Sequence, residues 1–143
     1  MVTRQATPAW ITGILQWPGL LPLARVALVS AYLLGGLTKL SAYSDAVAEQ
    51  AHFGLQPAPV WAVLAITVEV GGSLLVIFNR LVWLGAGGLG VLTLVAATVA
   101  DPFWRLQGHA RFMAASSFLE RLGLIAGFVF VAWISINRRQ AGS

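Results

Sequence analysis

Apolar residues along the chain gather into four long runs, at 22–40, 58–78, 81–100 and 116–136, and the stretches outside them hold most of the prolines and charges. A hydrocarbon core about 30 Å thick is crossed by about 20 helical residues at 1.5 Å each. In lipid the backbone of such a run must satisfy its own amides, which makes it a helix. The pattern predicts an all-α integral membrane four-helix bundle, a single transmembrane domain over 1–143 with short connections. An earlier apolar stretch begins at Ala9 behind Arg4, in the manner of a signal peptide, but Pro18 and Pro22 interrupt it and no small-residue cleavage pattern follows. It is expected to stay attached as a short N-terminal interfacial segment, with Trp10 and Trp17 among the headgroups. Trp61, Trp83, Trp104 and Trp133 fall near the ends of the runs and are expected to be membrane anchors as well.

Composition narrows the function classes. With 58% hydrophobic and 10% charged residues, and a mean hydropathy of +0.80, the chain is excluded from ordinary water-soluble monomers. The absence of cysteine rules out disulfides, zinc-thiolate sites and Fe–S clusters held by this chain. Nine basic residues against five acidic ones give a net charge of +4. They are scattered singly apart from Arg138-Arg139, so nucleic acid is not an expected partner. His52 and His109, the two histidines, are read as lying in loops with no ligand-spaced neighbour. Neither a metal site nor an integral haem is expected, because no histidine lies within a run. Arg4, Arg25, Arg80, Arg138 and Arg139 gather on one side of the predicted bundle, and Lys39, Arg105, Arg111 and Arg121 on the other. The basic count favours cytoplasmic termini by one residue.

Charges at membrane depth are expensive, about 2.5 to 3.5 kcal/mol at a helix centre on insertion scales, so those present carry information. Glu69 lies near the middle of the second run, on a face shared with Ala62, Ala65, Ile66, Gly72 and Ser73. These small residues permit close helix approach, so the face is expected to point inward, where desolvation favours the protonated carboxyl unless a cation or several donors lie close. Such a group suits proton coupling or hydrogen bonding to a quinone or small solute; an interhelical bond without further function is the other reading. Arg25, Tyr32, Gly36 and Lys39 form one stripe on the first run at spacings of seven, four and three. Tyr32 is expected at the depth of Glu69. Arg25 is open to two readings, a partner of Glu69 or a snorkelling anchor, and Lys39 likewise as pocket residue or anchor. On the last run Gly123 and Gly127 make a GxxxG pair, expected with Gly36 and Gly72 to serve helix packing. Glu120 and Arg121 are adjacent and must point in different directions.

These pieces together resemble the DoxX family of small four-span membrane proteins. The resemblance runs from about Leu23 to Trp133. It rests on Arg25 with Gly35-Gly36-Leu37-Thr38-Lys39-Leu40, on Phe53-Gly54-Leu55 before Pro57, and on Glu69-Val70-Gly71-Gly72. Phe103-Trp104 and Phe118-Leu119-Glu120-Arg121-Leu122 complete it. The chain departs from the family pattern at Asp101, where histidine is frequent, and at Arg121, where asparagine is. The resemblance implies a bacterial cytoplasmic-membrane protein tied to redox or sulfur metabolism, working in a homo- or hetero-oligomer with redox proteins. Combined with the residues above, it gives an expected role as a quinone-linked accessory subunit of a quinone-dependent oxidoreductase, with Glu69, Tyr32, Arg25 and Lys39 lining the pocket and quinone as the cofactor. The alternatives are a non-enzymatic scaffold or assembly partner and a small proton-coupled transporter acting as a dimer.

Overall fold

A computed structural model describes residues 6–100 and 102–141; Arg4 and Asp101, invoked above, lie outside them. The helices are α1 (Ala9–Leu15), α2 (Leu20–Ser41), α3 (Tyr43–His52), α4 (Ala58–Ile77), α5 (Val82–Ala100) and α6 (Gly108–Ala141), with a 3-10 turn at Phe103–Arg105 before the last. Among the described residues there is no strand. Four of the helical segments are long and apolar enough to cross a membrane, and they coincide with the four predicted runs. Helix α1 buries nothing, and Trp10 and Trp17 beside it are exposed.

The connection after the first run is the main departure from the sequence reading. It is not a bare loop, because the ten residues of α3 pack on α4 and touch the end of α2. Ala42, at φ −128° and ψ 61°, breaks the path between α2 and α3. Helix α3 buries Ala46 and Gln50, four residues apart, and carries Asp45 and Glu49 on an exposed side. It is too short and too polar to register as a membrane run. It ends at Gly54, whose φ of +77° suits glycine, while the Leu55 N–H donates to the Gln50 carbonyl at 3.0 Å. The turn between α4 and α5 uses the same closure: Asn79 takes φ +57° and the Arg80 N–H donates to the Leu75 carbonyl at 3.0 Å. His52 therefore ends α3 and His109 opens α6, so neither lies in a loop.

Helix α4 packs against α2, α3 and α5, and α5 against α6, while α2 and α6 touch only lightly. The buried cluster is Val29, Val76, Val82, Ala86, Leu89 and Phe128. Large apolar residues such as Leu34, Val60, Val91, Leu119 and Phe130 point outward, each at least 60% exposed. In lipid this arrangement costs nothing, since acyl chains solvate leucine as well as a core does, and association relies on close packing of small residues.

Three of the four packing glycines sit in such contacts. A Cβ on Gly36 would stand 2.7 Å from Val70 Cγ2, one on Gly72 3.2 Å from the Gly85 carbonyl oxygen, and one on Gly127 3.1 Å from Leu28 Cδ1. Gly123 is the exception: nothing lies within 4 Å of its Cβ position. The contact stripe of α6 runs through Arg121, Leu124 and Phe128. At about 100° per residue Gly123 lies about 100° round from Leu124, against about 60° for Gly127. The GxxxG pair thus splits, and only Gly127 packs within the chain. Gly36→Val is expected to lower stability by about 2 kcal/mol through overpacking. Gly123→Val is expected to leave it unchanged. Thermal unfolding of the two variants in detergent, followed by circular dichroism, checks both.

Candidate functional site

Glu69 stands eleven residues into the 20-residue α4, roughly 16 Å from its start. It is 8% exposed. The close approach permitted by Gly36 brings α2 against this segment, and Lys39 Nζ reaches Glu69 Oε1 at 2.8 Å. The expected cation partner is therefore Lys39, which is neither a free anchor nor replaced by Arg25. The other carboxylate oxygen, Oε2, is enclosed and has no hydrogen-bond partner. Ser73, one turn on, cannot serve it, because its hydroxyl donates to the Glu69 backbone carbonyl.

Two turns back along α2 from Lys39, the Tyr32 hydroxyl lies 2.6 Å from Thr93 Oγ1 on α5. Thr93 Oγ1 also donates to the Leu89 carbonyl at 2.7 Å. A threonine hydroxyl has one proton, so Tyr32 is the donor in the shared bond. Its oxygen keeps lone pairs and acts toward a ligand as an acceptor. The Tyr32 ring is held edge-on against Phe128, with centroids 5.3 Å apart.

These groups line one cavity of about 770 Å³ among α2, α3, α4, α5 and α6. Tyr32, Lys39 and Glu69 share it with Glu49, Gln50, Thr93 and Arg121; its other walls are apolar, with Phe53, Trp61 and Leu124 among them. Leu64, Val91 and Val95 line it too and are 50%, 64% and 39% exposed, so the cavity reaches the lipid-facing surface. Arg121 faces this space while Glu120 is exposed, which settles the adjacent pair.

Arg25 is not part of the cavity. Fourteen residues separate it from Lys39, about 21 Å along α2, far beyond side-chain reach. It lines a second, smaller cavity of about 320 Å³ at the opposite end of the bundle. The sequence reading missed Glu49, Gln50, Thr93 and Arg121 as wall residues. Trp61, expected as a membrane anchor, also lines the cavity and donates from Nε1 to the Gln56 carbonyl at 3.3 Å. The available signal for α3 was the spacing of Ala46, Gln50 and Phe53, which share one helical face. Among the described residues, no group of three or more His, Asp or Glu is placed to hold a metal.

Four helices long and apolar enough to cross a membrane, packed as a bundle, define a multi-pass membrane protein. The DoxX family model matches residues 20–102, more than half of the chain, and the chain belongs to that family. It is 24% identical over 127 residues to the inner membrane protein YphA of Escherichia coli (strain K12), covering 85% of this chain and 91% of that protein. That relative and the apolar helices support placement in a bacterial inner membrane. No solved structure matches the chain.

Removing one partner of a buried ion pair leaves an uncompensated charge, at a cost of roughly 3 to 5 kcal/mol. Lys39→Met is expected to destabilise the protein by that order, and the double variant Lys39→Met with Glu69→Gln to recover much of the loss. Thermal unfolding in detergent of the single and double variants measures the coupling.

Proposed function

We propose that the cavity between α2, α4 and α5 binds the ring of a membrane quinone and that the chain acts as a quinone-linked accessory subunit of a redox assembly in the bacterial inner membrane. The observation that carries this reading is the pairing of Lys39 and Glu69 at the wall of an apolar cavity that reaches the lipid-facing surface. A quinone requires an apolar slot entered from the bilayer, a donor for its carbonyl oxygens, and an acceptor for the hydroxyl protons of its reduced form.

Lys39 carries three ammonium protons, of which Glu69 Oε1 takes one. The remaining protons are available to a carbonyl oxygen. The Glu69 carboxylate, which lines the cavity, and the Tyr32 oxygen supply the acceptors. Phe53 and Trp61 offer flat apolar surface to the ring. The proposed quinone residues are thus Glu69, Tyr32 and Lys39, without Arg25. The outward faces of α2 and α6, whose apolar stretches are 11% and 6% buried, leave room for neighbouring subunits of the proposed assembly. Both termini are placed on the cytoplasmic side in this reading, following the basic residues at the end that holds Arg25, Arg138 and Arg139.

The test is binding of decylubiquinone to the intact protein in nanodiscs, followed by quenching of tryptophan fluorescence. Glu69→Gln keeps the shape of the side chain and is expected to weaken binding about tenfold, equivalent to one lost charged hydrogen bond. Lys39→Met is expected to weaken it at least as much. Absence of saturable binding by the unmodified protein, or equal affinity in all three proteins, overturns the reading.

A further inference from the structure

The second cavity stands apart from the Lys39–Glu69 site and is built from the opposite end of the bundle. The start of α2 (Pro18, Leu21, Pro22), Asn79 in the α4–α5 turn, and the last turns of α6 enclose it. Its charged residues are Arg25, Arg138 and Arg139, and no acidic residue lines it. The five acidic residues of the chain are Asp45, Glu49, Glu69, Asp101 and Glu120, none of them in the segments that form this end. Among the described residues, no acidic side chain supplies a counter-charge there. Arg25 is further constrained: its Nε is enclosed by protein and has no hydrogen-bond partner. The Arg25 guanidinium nevertheless lines the cavity, so an anion held there would meet a charge-assisted donor.

The surroundings favour an amphiphilic anion. Leu21, Val131 and Ile134 bring apolar surface to the same cavity, which lies beside the start of α2 and the end of α6. The N-terminus of α2 has no acidic residue in its first turn, so the helix dipole adds positive potential near the cavity wall. Planar guanidinium groups match phosphate oxygens in pairs, and a basic pocket between membrane helices is a known way of holding an anionic headgroup.

We propose that Arg25, Arg138 and Arg139 form a binding site for the phosphodiester headgroup of an anionic phospholipid, with the proximal acyl segment resting on Leu21, Val131 and Ile134. Arg25 holds the phosphate from the bundle side, and the Arg138-Arg139 pair closes over it from the end of α6. The site is independent of the quinone reading, since no residue is shared between the two cavities.

Native mass spectrometry of the full chain released from detergent, titrated with phosphatidylglycerol and with phosphatidylcholine of the same acyl chains, tests it. Phosphatidylglycerol is expected to bind at least about tenfold more tightly, and each arginine to account for about fivefold. Arg25→Gln and the pair Arg138→Gln with Arg139→Gln are each expected to remove most of that preference. Arg80→Gln, at the same end but outside the cavity, is expected to keep it. The α6 pair is exposed at a helix end, so its variant keeps the test decisive should Arg25→Gln fail to fold, which circular dichroism reports. Equal binding of the two lipids, or a preference unchanged in the α6 double variant, overturns the proposal. Displacement of the lipid by millimolar inorganic phosphate overturns the lipid assignment in favour of a free anion site.

Discussion

The bundle depends on one ion pair held where water is scarce. Glu69 sits at the middle of α4, and its charge is tolerable there only because Lys39 arrives from α2 at 2.8 Å. That arrival in turn requires α2 and α4 to lie almost in backbone contact, which Gly36 permits. Packing and electrostatics are thus coupled: a side chain at position 36 would push apart the two helices whose charges neutralise each other. Removal of either charge would leave the other facing apolar walls, where Coulomb forces are strong and desolvation is severe.

The same pair explains why a cavity survives at this depth. Most of the α4–α5 contact is closed by Gly72, Gly85 and Leu89. On the other side of α4, a lysine and a carboxylate hold polar atoms that a dry apolar contact would strand. Thr93 and Tyr32 extend that polar strip across to α5. The result is a mainly apolar chamber whose hydrogen-bonding groups come from α2, α3, α4, α5 and α6.

Much of this was readable in the sequence because lipid imposes strict rules. Run length located the four membrane helices, α4 and α5 within a residue of their observed bounds, and the rarity of buried charge singled out Glu69 and Lys39. What escaped was of two kinds. Helix α3 is amphipathic and short, so its burial of Ala46 and Gln50 comes from tertiary packing that no membrane-length pattern encodes. The stripe through Arg25, Tyr32 and Lys39 was real, but a stripe records direction and not depth, and the 14 positions between Arg25 and Lys39 set them in different cavities.

Helix α6 has 34 residues and no proline, about 51 Å of uninterrupted rod against a hydrocarbon layer of about 30 Å. Arg121 on this rod walls the larger chamber, and Arg138, about 26 Å further along the axis, walls the smaller one. The two chambers therefore share a stiff lever. A tilt of α6 about its Gly127 contact with Leu28 would swing its two arms in opposite senses, so widening one chamber mechanically narrows the other.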